Sequence, residues 1–97
     1  MIYNCGIIGY GVMGQIRHDT CNLIEELHVK KIFDPDPSFI AENDLSAGSA
    51  DEIINDPDID IIFIATPNYL NKDLTINALK KNKHVFCEKP PALKSKD

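Results

Sequence analysis

Apolar runs and helix-period stretches alternate along this chain. Ile2 to Ile8 is short, rich in branched residues and ends at a glycine, which predicts a buried strand. Ile16, Thr20, Leu23, Ile24 and Leu27 then recur at steps that put them on one face of a helix. A second strand is predicted over 28–34, HVKKIFD, closed by Asp34 and the turn formers Pro35, Asp36 and Pro37. Residues 38–48 are the least patterned and hold at most a short helix and a rudimentary third strand before Gly48. Ser49 and Glu52 stand at capping-box spacing and start a brief helix running to about Asn55. The Ile-Ile-Phe-Ile-Ala run within 58–67 predicts a strand covered on both faces. Leu70, Leu74, Ala78 and Leu79 mark another amphipathic helix, ended by Lys80, Lys81 and Lys83 as cations complementing its dipole. HVFCEKP, 84–90, is the last predicted strand.

This alternation is that of βαβ units. The expected class is α/β, a doubly wound parallel sheet of about five strands with a weak third strand. Ninety-seven residues make one small domain, expected over 1–97, with no linker or repeat. Fifteen acidic against ten basic residues give a net charge of -5, which argues against a nucleic-acid partner. No leader pattern or membrane-length apolar run is present in the sequence, so no membrane partner and a cytoplasmic location are expected. Cys5, Cys21 and Cys87 have wide, unrelated spacings, which predicts small buried hydrophobes and no metal site.

Candidate chemistry starts at Gly9, Gly11 and Gly14, spaced G-x-G-x-x-G directly after a predicted strand and opening a helix. In that context Gly9 makes the turn, Gly11 leaves room for a pyrophosphate and Gly14 allows close helix packing. The backbone N–H groups of Tyr10, Gly11, Val12 and Met13 would point at the phosphates, aided by the positive helix end. Asp34 lies twenty residues beyond Gly14, at the end of the second strand. A carboxylate there accepts from the adenosine ribose hydroxyls and repels a 2′-phosphate, and no Arg follows in the turn, so NAD is expected over NADP. An ordinary glycine turn and a turn-forming Asp before proline are the plainer readings of the same residues. ATPNYLN, 65–71, and HVFCEKPPAL, 84–93, each follow a predicted strand at its carboxyl end, where open α/β sheets bind ligands. In the second of these, the Lys89 ammonium can hydrogen-bond a substrate hydroxyl and favour its ionised form. Glu88 and Pro90 flank it, and a solvated Glu–Lys pair at a strand end fits the pattern equally.

Taken in order, GIIGYGVMG, FDPDP, DIDIIFIATPNYLN and KHVFCEKPPAL resemble the successive signatures of the Gfo/Idh/MocA oxidoreductases and span nearly the whole chain. The resemblance implies a Rossmann domain that binds NAD or NADP, and reversible oxidation of a hydroxyl on a sugar, inositol or related polyol. It implies Lys89 as a catalytic lysine, with Glu88 and Pro90 shaping the nicotinamide site. It also places Ala65, Thr66, Pro67, Asn68 and Asn71 along the cofactor cleft.

Three departures from the family pattern stand out. The region between Asp34 and Asp51 is shorter than usual, so a reduced third strand and helix are expected there. Asn71 occupies a position where members often carry His, and an amide cannot titrate. The family also continues into further strands and a large α+β domain that supplies a sugar-binding surface and a catalytic histidine. Ninety-seven residues do not hold that domain, so turnover by this chain alone is not expected and a further domain or separate chain is the implied partner. His18, expected within the first helix, His28, at its end, and His84, at the start of the last strand, are read as surface or capping residues. The competing readings are a stand-alone nucleotide-binding or redox-sensing module, expected to be a homo-oligomer because its last strand would be an open edge, and a non-functional remnant.

Overall fold

The structure, a computed structural model, describes residues 2–36, 38, 45–66 and 68–87. Apolar segments form β1 (Tyr3–Ile8), β2 (Leu27–Phe33), β3 (Ile61–Ile64) and β4 (His84–Cys87). Between them run α1 (Val12–Asn22), α2 (Ala50–Ile54) and α3 (Asn68–Lys80). All pairings are parallel and the order is β2-β1-β3-β4, so β1 and β3 are central. The path reverses between β1 and β3, which is the switch point where such sheets bind ligands at their carboxyl ends.

β1 is buried on both faces from Cys5 to Ile8, whereas β3, expected to be covered on both, buries Ile62 and Ile64 and leaves Ile61 and Phe63 half-buried beside the exposed Phe86 of β4. Ile8, Ile62 and Ile64 pack on one face with Ile53 and Ile54 of α2, Ile59 of the connection from α2 to β3, and Ala78 of α3. Cys5 and Ile7 pack on the other with Cys21 of α1 and with Val29 and Ile32 of β2. The expected third strand survives as one parallel bridge, Ile32 to Ser46, fixed by Ile32 N–H to Leu45 O and Ala47 N–H to Ile32 O. Among the described residues the sheet holds four strands, roughly consistent with the expected five of which the third is weak.

β2 departs from alternation. Cys5 pairs with Val29 but Gly6 pairs with Lys31, so Lys30 is an extra residue that shifts the strand's phase. Val29 and Ile32 consequently share a face, and both lysines reach one carboxylate: Lys30 Nζ and Lys31 Nζ lie 2.9 and 3.1 Å from Asp56 Oδ2. Burial alone would raise the Asp56 carboxyl, but hydrogen bonds from Lys30, the Asp58 N–H and Lys31 outweigh it and hold the group well below the usual carboxylate range.

The helices correct several expectations. α1 ends at Asn22, and its buried residues are Gly14 and Cys21, with Arg17 and His18 half-buried between them. Ile16 is 45% exposed and Leu23 85%, so the predicted apolar face points outward. The close approach at Gly14 decides which face turns in, and apolar periodicity could not reveal it. His28 lies in β2 and not at the end of a helix, whereas His84 does open β4. In α2 the Ser49 Oγ accepts from the Glu52 N–H as expected, while Glu52 Oε1 accepts from Gly48 N–H. α3 buries Asn71 and Ala78 and leaves Leu79 55% exposed. Its exit turns through Asn82 at φ 63°. Lys83 is no solvated cation: it is buried and donates to the carbonyls of Asp56 and Ile59.

Candidate functional site

The carboxyl ends of β1, β2 and β3 converge on Gly9. Its N–H donates to Phe33 O at 2.6 Å, and its φ is +98°, a conformation side chains rarely adopt. A Cβ there would lie 2.6 Å from the Ala65 carbonyl carbon and oxygen, so glycine is what lets the turn sit against β3. A Cβ on Gly14 would collide with the Gly9 carbonyl, so α1 starts close above the turn. A Cβ on Gly11 would meet nothing within 4 Å. The three glycines thus divide as the motif expects: two make close contacts and one faces open space.

Gly11 is the N-cap of α1 and brings no side-chain cap, and the first turn holds no acidic residue. The first amides of a helix have no intrahelical acceptor, and with the helix dipole they favour an anion. Val12 and Met13 are exposed at this end. Tyr10, between the first two glycines, is fixed on all its polar groups. Its N–H, expected to point at the phosphates, instead donates to Asp34 Oδ2 at 2.6 Å; its carbonyl accepts from Gln15 Nε2 at 3.1 Å, and its hydroxyl shares a 2.6 Å hydrogen bond with His18 Nδ1. Burial, and then the charge of Asp19, raise the Tyr10 phenol above its ordinary range. His18, read as a surface or capping residue, is half-buried, and its ring meets Tyr10 edge-on with centroids 5.7 Å apart.

Asp34 ends up beside the turn, as its sequence position predicts. Its Oδ1 accepts from Asp36 N–H at 2.7 Å, and Asp36 Oδ1 in turn accepts from the N–H and hydroxyl of Ser38. On the other side, Ala65 N–H donates to Ile8 O at 2.8 Å. Buried Thr66 donates its hydroxyl to the Asn71 carbonyl oxygen, tying the end of β3 to α3. Pro67, Glu88, Lys89 and Pro90 lie outside the described residues, and of Asn68 only its place as first residue of α3 is described.

The thiols divide by position. Burial, and then the neighbouring Cys21, push the Cys5 thiol up to about 12; Cys21 is also raised, by burial. Cys87 is exposed, contrary to the expectation for all three, because it ends the edge strand β4. Sequence reasoning also missed the Tyr10–His18 pair, whose members stand eight residues apart and carry no shared pattern.

A parallel α/β sheet with an open, amide-lined glycine turn at its switch point defines a dinucleotide-binding domain. Residues 3–97 match the model of the oxidoreductase family with NAD-binding Rossmann fold, and the chain belongs to that Gfo/Idh/MocA family. It is 34% identical to 2,7-anhydro-N-acetylneuraminate hydratase of Escherichia coli K12 over 97% of this chain and 26% of that protein. Similarity to myo-inositol 2-dehydrogenase of Thermotoga maritima is 30% identity over 95% of this chain and 29% of that protein. Among solved structures, an NAD-binding protein from Listeria innocua superposes with a TM-score of 0.85 at 34% identity, over 99% of this chain and 30% of that one. The chain thus spans between a quarter and a third of the length of these relatives. Among the described residues no helix is long and apolar enough to cross a membrane.

Proposed function

We propose that this chain holds NAD, in preference to NADP, as the cofactor-binding part of a dehydrogenase acting on a hydroxyl of a sugar, inositol or related polyol. The observation that carries the reading is the open space at Gly11 over the start of α1, with the Asp34 carboxylate beside the same turn. The amides that open α1 would hold the pyrophosphate. Asp34 would accept from the adenosine ribose hydroxyls, and its charge, with that of Asp36 two residues on, opposes a 2′-phosphate. Thr66, with Ala65, Pro67, Asn68 and Asn71, would border the cofactor on the β3 side. When bound, the nicotinamide supplies the acceptor or donor of a hydride.

The family match supports Lys89 as the residue that hydrogen-bonds the substrate hydroxyl through Nζ and favours loss of its proton, with Glu88 and Pro90 shaping that end of the cleft. The inositol dehydrogenase among the relatives supports a polyol as substrate class. Substrate positioning and exclusion of water are assigned to a further domain or partner chain. Fluorescence titration with NADH and NADPH tests the reading. NADH binds more tightly; tighter NADPH binding removes the Asp34 argument, and binding of neither removes the cofactor assignment.

A further inference from the structure

The glycine motif specifies three positions and leaves the residue between the first two open. In this chain that residue is the most heavily tethered part of the turn. The β2 terminus holds the Tyr10 N–H through Asp34, the first turn of α1 holds its carbonyl through Gln15, and the second turn holds its phenol through His18. On either side stand Gly9, in a left-handed conformation, and Gly11, in open space. A peptide flanked by two glycines has wide conformational freedom, and freezing it on binding would cost affinity. With the residue 10 peptide held in this way, the amides that follow it at the start of α1 meet an anion without that cost.

We infer that Tyr10 is the positioning residue for a diphosphate group, and that Asp34, Gln15 and His18 act on that group through it; this rests on the nucleotide reading above. Asp34 consequently has two tasks. A carboxylate offers about four lone-pair directions over two oxygens. Among the described residues the Tyr10 N–H uses one on Oδ2 and the Asp36 N–H one on Oδ1, so each oxygen retains a direction for a ribose hydroxyl.

The test compares ADP with adenosine, which differ by the diphosphate alone, binding to the chain in NMR titrations with the residue 10 amide as reporter. Tyr10→Phe removes only the phenol tether. ADP affinity falls by about fivefold, the worth of one hydrogen bond, while adenosine affinity and the carboxylate-bonded amide shift stay where they are. Gln15→Ala, at an exposed side chain, has the same effect and keeps the test valid if Tyr10→Phe folds poorly. An ADP-to-adenosine ratio equal to that of the unsubstituted chain in folded Tyr10→Phe and Gln15→Ala overturns the inference and leaves the NAD reading standing. An unsubstituted chain that binds neither ADP nor NADH overturns both.

Discussion

The backbone N–H of Tyr10 donates to Asp34 Oδ2 at 2.6 Å, so the end of the second strand and the turn after the first are joined before any ligand arrives. The residue expected to choose between NAD and NADP therefore also braces the turn. Replacing it has two effects that pull apart in measurement. Asp34→Ser weakens NADH binding and shifts the NADH-to-NADPH affinity ratio by about tenfold towards NADPH, without making NADPH binding tight. Paired fluorescence titrations read the shift; an unchanged ratio removes Asp34 from ribose recognition.

Gly11 and Gly14 separate binding from stability. Gly14→Ala drives a methyl into the Gly9 carbonyl and costs about 2 kcal/mol in urea unfolding. Gly11→Ala meets open space and changes stability by less than about 1 kcal/mol, yet its methyl would enter the space proposed for the pyrophosphate and is expected to lower NADH affinity by about tenfold. Equal losses of stability in the two variants would sink the distinction.

Asp56 makes the fold sensitive to acid. Its folded-state pKa is depressed below the unfolded value of about 3.9, so its stabilisation is whole above that pH and is lost as pH falls from there towards the folded-state pKa. Urea midpoints taken from pH 7 down to about 3 decline steeply at the acid end. Asp56→Asn starts lower at pH 7, because Lys30 and Lys31 lose their shared charge, and follows a flatter profile. Parallel profiles for the two proteins would count against the assignment.

Thiol chemistry follows burial. Dithionitrobenzoate at neutral pH titrates one thiol in the folded chain, Cys87, and all three after denaturation. Cys87→Ser removes the fast reaction. Rapid labelling of Cys5 in the folded protein would contradict its raised pKa.

Much of the sheet and the turn was legible in the chain because the signals were local. The run from Ile61 to Ile64 marked a strand, and glycine spacing after Ile8 set the turn with Asp34 following at the expected distance. The inward face of α1 was not legible, because its contact is made by the smallest residue, Gly14, while the branched Ile16 lies outside. Tyr10 and His18 meet only when the turn folds back on α1, and no period links them. One clue was present and unused: Val29 and Ile32 are separated by two lysines, a spacing that a regular strand cannot bury on one face.

That irregularity reaches the site. Side chains on a strand point alternately, so the parity of β2 decides which way Asp34 faces when the strand ends. Lys30, the unpaired extra residue, resets that parity midway. A chain one residue shorter at this place would keep its hydrophobic content and its glycine turn, but its carboxylate would arrive half a period out of step with Tyr10. A lysine far down the strand thus sets the clock by which the acidic residue comes into position.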